Sequence, residues 1–191
     1  MTTRIEQDIV HVFARDLTRS YSIHQLSKEL HKQYPSIHRT ATRMIREGIL
    51  TKNVIGRSFL CSLNFHEPQA ALLFAQAELQ QRNAFFSARE NKNSNLLKTL
   101  NLLTKQLPIK LILHVHNSYY VVVPEETKRQ LHFLPNTVVL LTREEFQTKL
   151  LNDTALLKEK TVIYSFESYA EMIADVQDQI RVKWLLEGKH A

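Results

Sequence analysis

Only one cysteine, Cys61, occurs in the 191 residues, so no disulfide can close within the chain and no thiolate pair can hold a metal. That composition suits a reducing compartment. No run approaches the roughly 18 uninterrupted apolar residues that a membrane helix needs, and the opening MTTRIEQDIV lacks the basic-then-apolar order of an export signal. The expectation is a cytoplasmic chain with no membrane partner. Internal repeats and low-complexity tracts are missing as well. Glycine is scarce, at Gly48, Gly56 and Gly188, and the first two fall where turns are expected.

What is present is enough for a folded core. Hydrophobic residues make up 43% and charged residues 23%, both near globular averages, which argues against disorder. The net charge of +6 is unevenly spread. Residues 1–66 hold ten Lys/Arg against five acids, whereas the rest of the chain holds fifteen against fourteen. The positive excess therefore sits in the first third, where a polyanionic partner is the natural expectation.

Apolar spacing predicts a helix over 4–16, with Ile5, Ile9, Val12 and Phe13 on one face, and a second over 23–31 with Ser22 as N-cap. A third is predicted from Ser36, burying Ile37, Ala41, Met44 and Ile45 and stopping at Gly48, the usual residue for a left-handed helix end. Two β-prone runs, 49–55 and 58–64, flank Gly56-Arg57, the composition of a tight hairpin turn. Three helices and a hairpin in this order are the winged helix-turn-helix arrangement.

On the third helix, Ser36, Arg39, Arg43 and Arg46 recur at i, i+3, i+7 and i+10, opposite the apolar side. Three guanidiniums on one face repel one another, and an anion would relieve that. Arginine also grips guanine or phosphate with two bonds. His38 and Thr42 flank the stripe. Lys28 and Lys32 bracket the preceding turn, and Lys52, Asn53 and Arg57 fall near the hairpin tip, all placed to hold a DNA backbone. A charged stripe taken alone is more often a solvated face; here element order, glycine positions and charge agree.

The segment YSIHQLSKELHKQYPSIHRTATRMIREGILTKN resembles the winged-helix regulators of archaea and bacteria, in which an LSKxL-type second helix leads to a recognition helix ending in E-G-(I/L)-(I/L). The resemblance covers about a third of the chain and implies binding to double-stranded DNA, a transcription-regulatory role and a nucleoid location. Binding of structured RNA or protein by the same fold remains a weaker alternative.

Beyond residue 66, Pro68 opens a long Ala/Leu/Gln-rich helix, read as a linker over 67–95 and closed by NKNSN at 91–95. Phe85, Phe86 and the Ala/Leu stripe on it could pack against the C-terminal domain or against a second copy, so a homodimer is one expectation. Another helix is predicted over 96–107. Strands at 110–116, 118–124, 137–141 and 161–166 then alternate with helices at 125–133, after the Thr142–Glu145 capping box, and from Ser168 to Leu186.

The tail VVLLTREEFQTKLLNDTALLKEKTVIYSFESYAEMI resembles the ending of minimal nucleotidyltransferase-like domains. The expected fold class is thus α+β in two domains, a winged helix-turn-helix over 1–66 and a small mixed-sheet nucleotidyltransferase-like domain over 96–191. Active members of that family need a Gly-Ser pair after the first strand and two Asp on the next to hold divalent metals. Here Asn117-Ser118 replaces Gly-Ser, and the second strand has no Asp. The expectation is a non-catalytic domain without a cofactor, acting as scaffold, sensor of a small molecule or protein, or dimerisation surface. The alternative is a nucleotide-binding or nucleotidyl-transferring enzyme whose winged helix recruits substrate. His114 and His116 should share one strand face, too few ligands for a metal site, and Cys61 reads as a small core residue.

Overall fold

Ile9, Val10 and Phe13 share one side of the first helix, α1 (Arg4–Arg15), with Glu6, and all four are buried. The computed structural model describes residues 4–55, 58–88, 102–131 and 135–187. Helix α2 (Ile23–Glu29) opens on a capping box in which Ser22 Oγ accepts from the Gln25 N–H and Gln25 Oε1 accepts from the Ser22 N–H. It closes through the paired bonds His31 N–H to Lys28 O and Lys32 N–H to Ser27 O, with His31 left-handed at φ +50°.

Helix α3 (Tyr34–Arg46) starts two residues earlier than the expected Ser36. Pro35 falls in its first turn, where the missing N–H would have no intrahelical partner anyway. At its far end the Gly48 N–H reaches Ile45 O and the Ile49 N–H reaches Met44 O, with Gly48 at φ +77°. Strands β1 (Leu50–Ile55) and β2 (Ser58–Leu63) then pair antiparallel, Leu50 opposite Leu63 and Ile55 opposite Ser58. The turn expected at Gly56-Arg57 lies outside the described residues. Tyr21 adds a single-residue bridge to Cys61 through two backbone bonds, on the edge of β2 away from β1.

Helix α4 (Pro68–Ser87) buries Ala70, Leu73, Phe74 and Ala77. The break expected at 91–95 lies outside the described residues, and of the helix expected over 96–107 residues 102–106 are described as helical. There follow β3 (Leu111–Val115), β4 (Ser118–Val122), α5 (Glu125–Gln130), β5 (Val138–Leu141), α6 (Arg143–Asn152), α7 (Ala155–Lys158), β6 (Lys160–Tyr164) and α8 (Phe166–Glu187). The four strands order as β5-β4-β3-β6, with β4 and β5 parallel and the other pairs antiparallel. Thr142 and Glu145 cap α6 reciprocally. Ser165, at φ +58°, turns the chain so sharply that α8 begins at Phe166, a residue expected to end the strand.

Every residue of β3 is buried, because both faces of the sheet are covered. One face places Leu111, Leu113 and Val115 in a core that also holds Phe146 and Tyr169 and continues through Phe74 to Phe13, Leu26 and Met44. That core runs unbroken across the boundaries expected at residues 66 and 95. The other face sets Ile112, Tyr119, Val121 and Ile163 against Phe85, Phe86, Leu103 and Leu107. The Phe85–Phe86 pair is thus taken up within the chain. Each large side chain so buried contributes about 1.5 to 3 kcal/mol, and α4, packed on α1, β6 and α8, joins the two halves.

A charged pair crosses the same junction. Lys160 Nζ lies 2.7 Å from Glu78 Oε1 with both side chains fully buried, and it also donates to the Ala14 carbonyl of α1. Among the described residues, no helix is long and apolar enough to cross a membrane.

Candidate functional site

Ile37, Ala41 and Met44 are wholly buried, and their spacing fixes which way α3 is rotated. The opposite side is consequently set out toward solvent. His38, Arg39, Thr42 and Arg46 are exposed there, Ser36 and Arg43 are half-buried, and a shallow open groove is lined by Ile5, His38, Arg39, Thr42, Arg43 and Arg46. Five of the residues singled out in the sequence thereby line one groove. Lys28 is exposed on α2. Lys52 is exposed on β1 with its ammonium 4.5 Å from the centre of the Phe59 ring, and Asn53 beside it is half-buried. Arg57 lies outside the described residues.

The three arginines are not equivalent. Arg43 Nη2 is 2.6 Å from Glu6 Oε1, and its Nε is 4.0 Å from Glu47 Oε1. The anion that the crowded stripe requires is therefore supplied, for Arg43, from inside the protein. Lys32 is similarly placed, 3.4 Å from Asp8. Among the described residues, Arg39, Arg46 and Lys28 make no salt bridge, so their charge is available to a partner.

Two neighbours were not picked out from the sequence. Tyr34, 46% exposed, stacks at a tilt between His38 (5.5 Å between ring centres) and His24 (6.1 Å), forming an aromatic row from α2 to α3. Its signal was present as i, i+4 spacing of Tyr34 and His38, but only a helix starting before Ser36 brings them together. Glu6 was also missed, although its place three and four residues before Ile9 and Val10 marks it as inward.

The two histidines of the C-terminal half do not share a face. His114 is buried between the rings of Phe85 and Tyr119, each 4.8 Å away. His116 lies past the end of β3, in the turn, at φ +54°, and pairs with Glu159. Among the described residues, no three His, Cys, Asp or Glu side chains are grouped to hold a metal ion. Cys61 is buried, and burial pushes its thiol up to about 11, with Lys52 opposing weakly. A second open crevice, lined in part by Lys110, Glu125, Thr142, Arg143 and Glu171, lies at the ends of the parallel strands β4 and β5. No protein-family model matches the chain, and no curated protein matches it either.

Proposed function

We propose that the chain is a DNA-binding protein, a transcriptional regulator at the nucleoid, that sets α3 in the major groove and rests the β1–β2 hairpin on the backbone. Three helices followed by a two-stranded hairpin, with Tyr21 bridged to Cys61, support a winged helix-turn-helix reading. The observation that carries the proposal is the pair Arg39 and Arg46, exposed on one ridge and left without an acidic partner among the described residues. In this reading Arg39, His38 and Thr42 face bases, while Arg46 and Lys28 hold phosphates. Arg43, held by Glu6, fixes the ridge's shape.

The C-terminal half serves as scaffold or sensor. A resemblance to nucleotidyltransferases would require a phosphate-cradling loop after β3, but β3 and β4 are joined there by His116 and Asn117 alone, and β4 has no Asp.

Salt titration of binding to random and genomic duplex DNA is the test. Each phosphate contact removed lowers the slope of log K against log salt by about one, so Arg46→Ala with Lys28→Ala should lower it by roughly two. Binding that ignores salt, or a double variant indistinguishable from wild type, would sink the idea.

A second reading, nucleotide binding, draws on the crevice beside Lys110 and Arg143, because ligands of α/β sheets settle outside the carboxyl ends of parallel strands. Calorimetric titration with the four nucleoside triphosphates decides it, and a flat trace removes it.

A further inference from the structure

Burial and composition disagree on the outer side of α4. A helix at a protein surface ordinarily turns charged residues outward. Here the outward positions Gln69, Leu72, Gln76, Leu79 and Asn83 carry no charge, in a chain where 23% of residues are charged. Leu72 is 61% exposed and Leu79 is 38% exposed. The only acid in the helix, Glu78, points inward to Lys160, and its only base, Arg82, lies over the Phe166 ring and donates to Ile163 O.

The spacing of these five residues is three, four, three and four, the alternation of a coiled-coil seam. Their order reads almost the same from either end: amide, leucine, amide, leucine, amide. A seam of that kind fits itself when two copies run antiparallel. Gln69 then meets Asn83 of the other copy, Leu72 meets Leu79, and Gln76 meets its own counterpart on the twofold axis. Leucine against leucine makes dry contact. Side-chain amides both donate and accept, so amide against amide leaves neither group unpaired. A charged partner would find nothing to pair with, and a purely apolar one would strand three amides.

Charge argues for the same occupant. Two copies at +6 repel over most of their surfaces, and this strip lets them meet without opposing cations. Charge depletion is also the compositional mark of an interface centre.

We propose that this face of α4 pairs two copies of the chain, antiparallel about Gln76, through an isologous contact. The proposal stands apart from the DNA reading, since pairing is measured without nucleic acid.

Sedimentation velocity on the full chain over roughly a hundredfold range of concentration is the first measurement, because dimerisation follows mass action. Wild type should pass from monomer to dimer mass. Leu72→Lys with Leu79→Lys should remain monomeric throughout while keeping its circular dichroism spectrum, as both leucines face outward. A second measurement fixes direction. Gln76→Cys should cross-link to itself under mild oxidant, whereas Gln69→Cys should not, because the antiparallel arrangement separates those positions by about 21 Å at 1.5 Å per residue. Wild type that stays monomeric, a dimer that survives the double lysine variant, or cross-linking of Gln69→Cys equal to that of Gln76→Cys would each overturn the proposal.

Discussion

The Arg43 guanidinium sits 2.6 Å from the carboxylate of Glu6, a side chain only 4% exposed, and so the middle arginine of the α3 stripe is bound to the protein's interior. An acid buried on α1 thereby sets how much charge α3 shows. The ridge presents two free guanidiniums where the sequence suggested three.

Releasing Arg43 should make the ridge more cationic. Glu6→Gln is expected to steepen the salt dependence of DNA binding by about one phosphate contact and to lower stability by about 1 kcal/mol, the loss of a charge-assisted hydrogen bond discounted for the exposure of Arg43. Fluorescence anisotropy at several salt concentrations, with urea unfolding alongside, checks both effects. An unchanged slope would mean that Arg43 does not reach DNA even when free.

Helices α2 and α3 end with the same bond pattern around different residues, His31 at φ +50° and Gly48 at φ +77°. A left-handed conformation costs an L side chain about 1 kcal/mol or more. Gly48→Ala should therefore destabilise by about that amount through backbone strain alone, because an added Cβ would meet Glu67 Oε2 at an ordinary 3.6 Å. His31→Gly should stabilise by about 0.5 kcal/mol, after the extra flexibility of glycine in the unfolded chain is subtracted. Urea midpoints report both, and shifts of the same sign would contradict the argument.

His11 titrates below its ordinary value of 6.5, chiefly because burial disfavours the imidazolium, with Arg15 and Lys160 adding to this and Asp8 opposing. Its folded form prefers to be neutral. The stability this contributes is fully present above pH 6.5 and is lost as pH falls toward the lowered folded value. Urea midpoints should therefore decline on acidification below pH 6.5, and His11→Gln should flatten part of that decline. Parallel curves for the two proteins would assign the pH dependence elsewhere.

Cys61 should resist alkylation in the native protein. Its thiol is raised to about 11 by burial, so almost no thiolate exists near neutral pH, and the sulfur is covered. Iodoacetamide labelling read by mass spectrometry should be slow without denaturant and should rise at the unfolding midpoint. Rapid native labelling would show that the strand pair holding Tyr21 against Cys61 opens readily.

Much of the element order could be read in advance, since it rests on apolar spacing over eight or more residues. Contacts that depend on one residue pair could not. The inward position of Glu6 follows from Ile9, Val10 and Phe13, but its partner Arg43 is 37 residues away. The Tyr21–Cys61 bridge is a single pair with no periodicity, and α7 spans only four residues, too few to show a face. Sequence reading put His114 and His116 together by alternation alone. The strand stops at Val115, and the turn takes His116 away. On the candidate site, the exposed Arg39, Thr42 and Arg46 followed from the helix period, whereas the pairing of Arg43 and Lys32 required knowing where α1 lies.

The ammonium of Lys160, enclosed with Glu78 and the Ala14 carbonyl, also limits how the molecule can be dissected. A fragment ending at residue 66 would lose both charges and uncover Phe13 and Ala14, while a fragment beginning after α1 would leave a lysine in an apolar pocket short of an acceptor. A buried ammonium is tolerated only when its hydrogen-bonding capacity is met, so losing the Ala14 carbonyl carries a cost even with Glu78 in place. The first three helices therefore share their core with the rest of the chain and do not close one of their own.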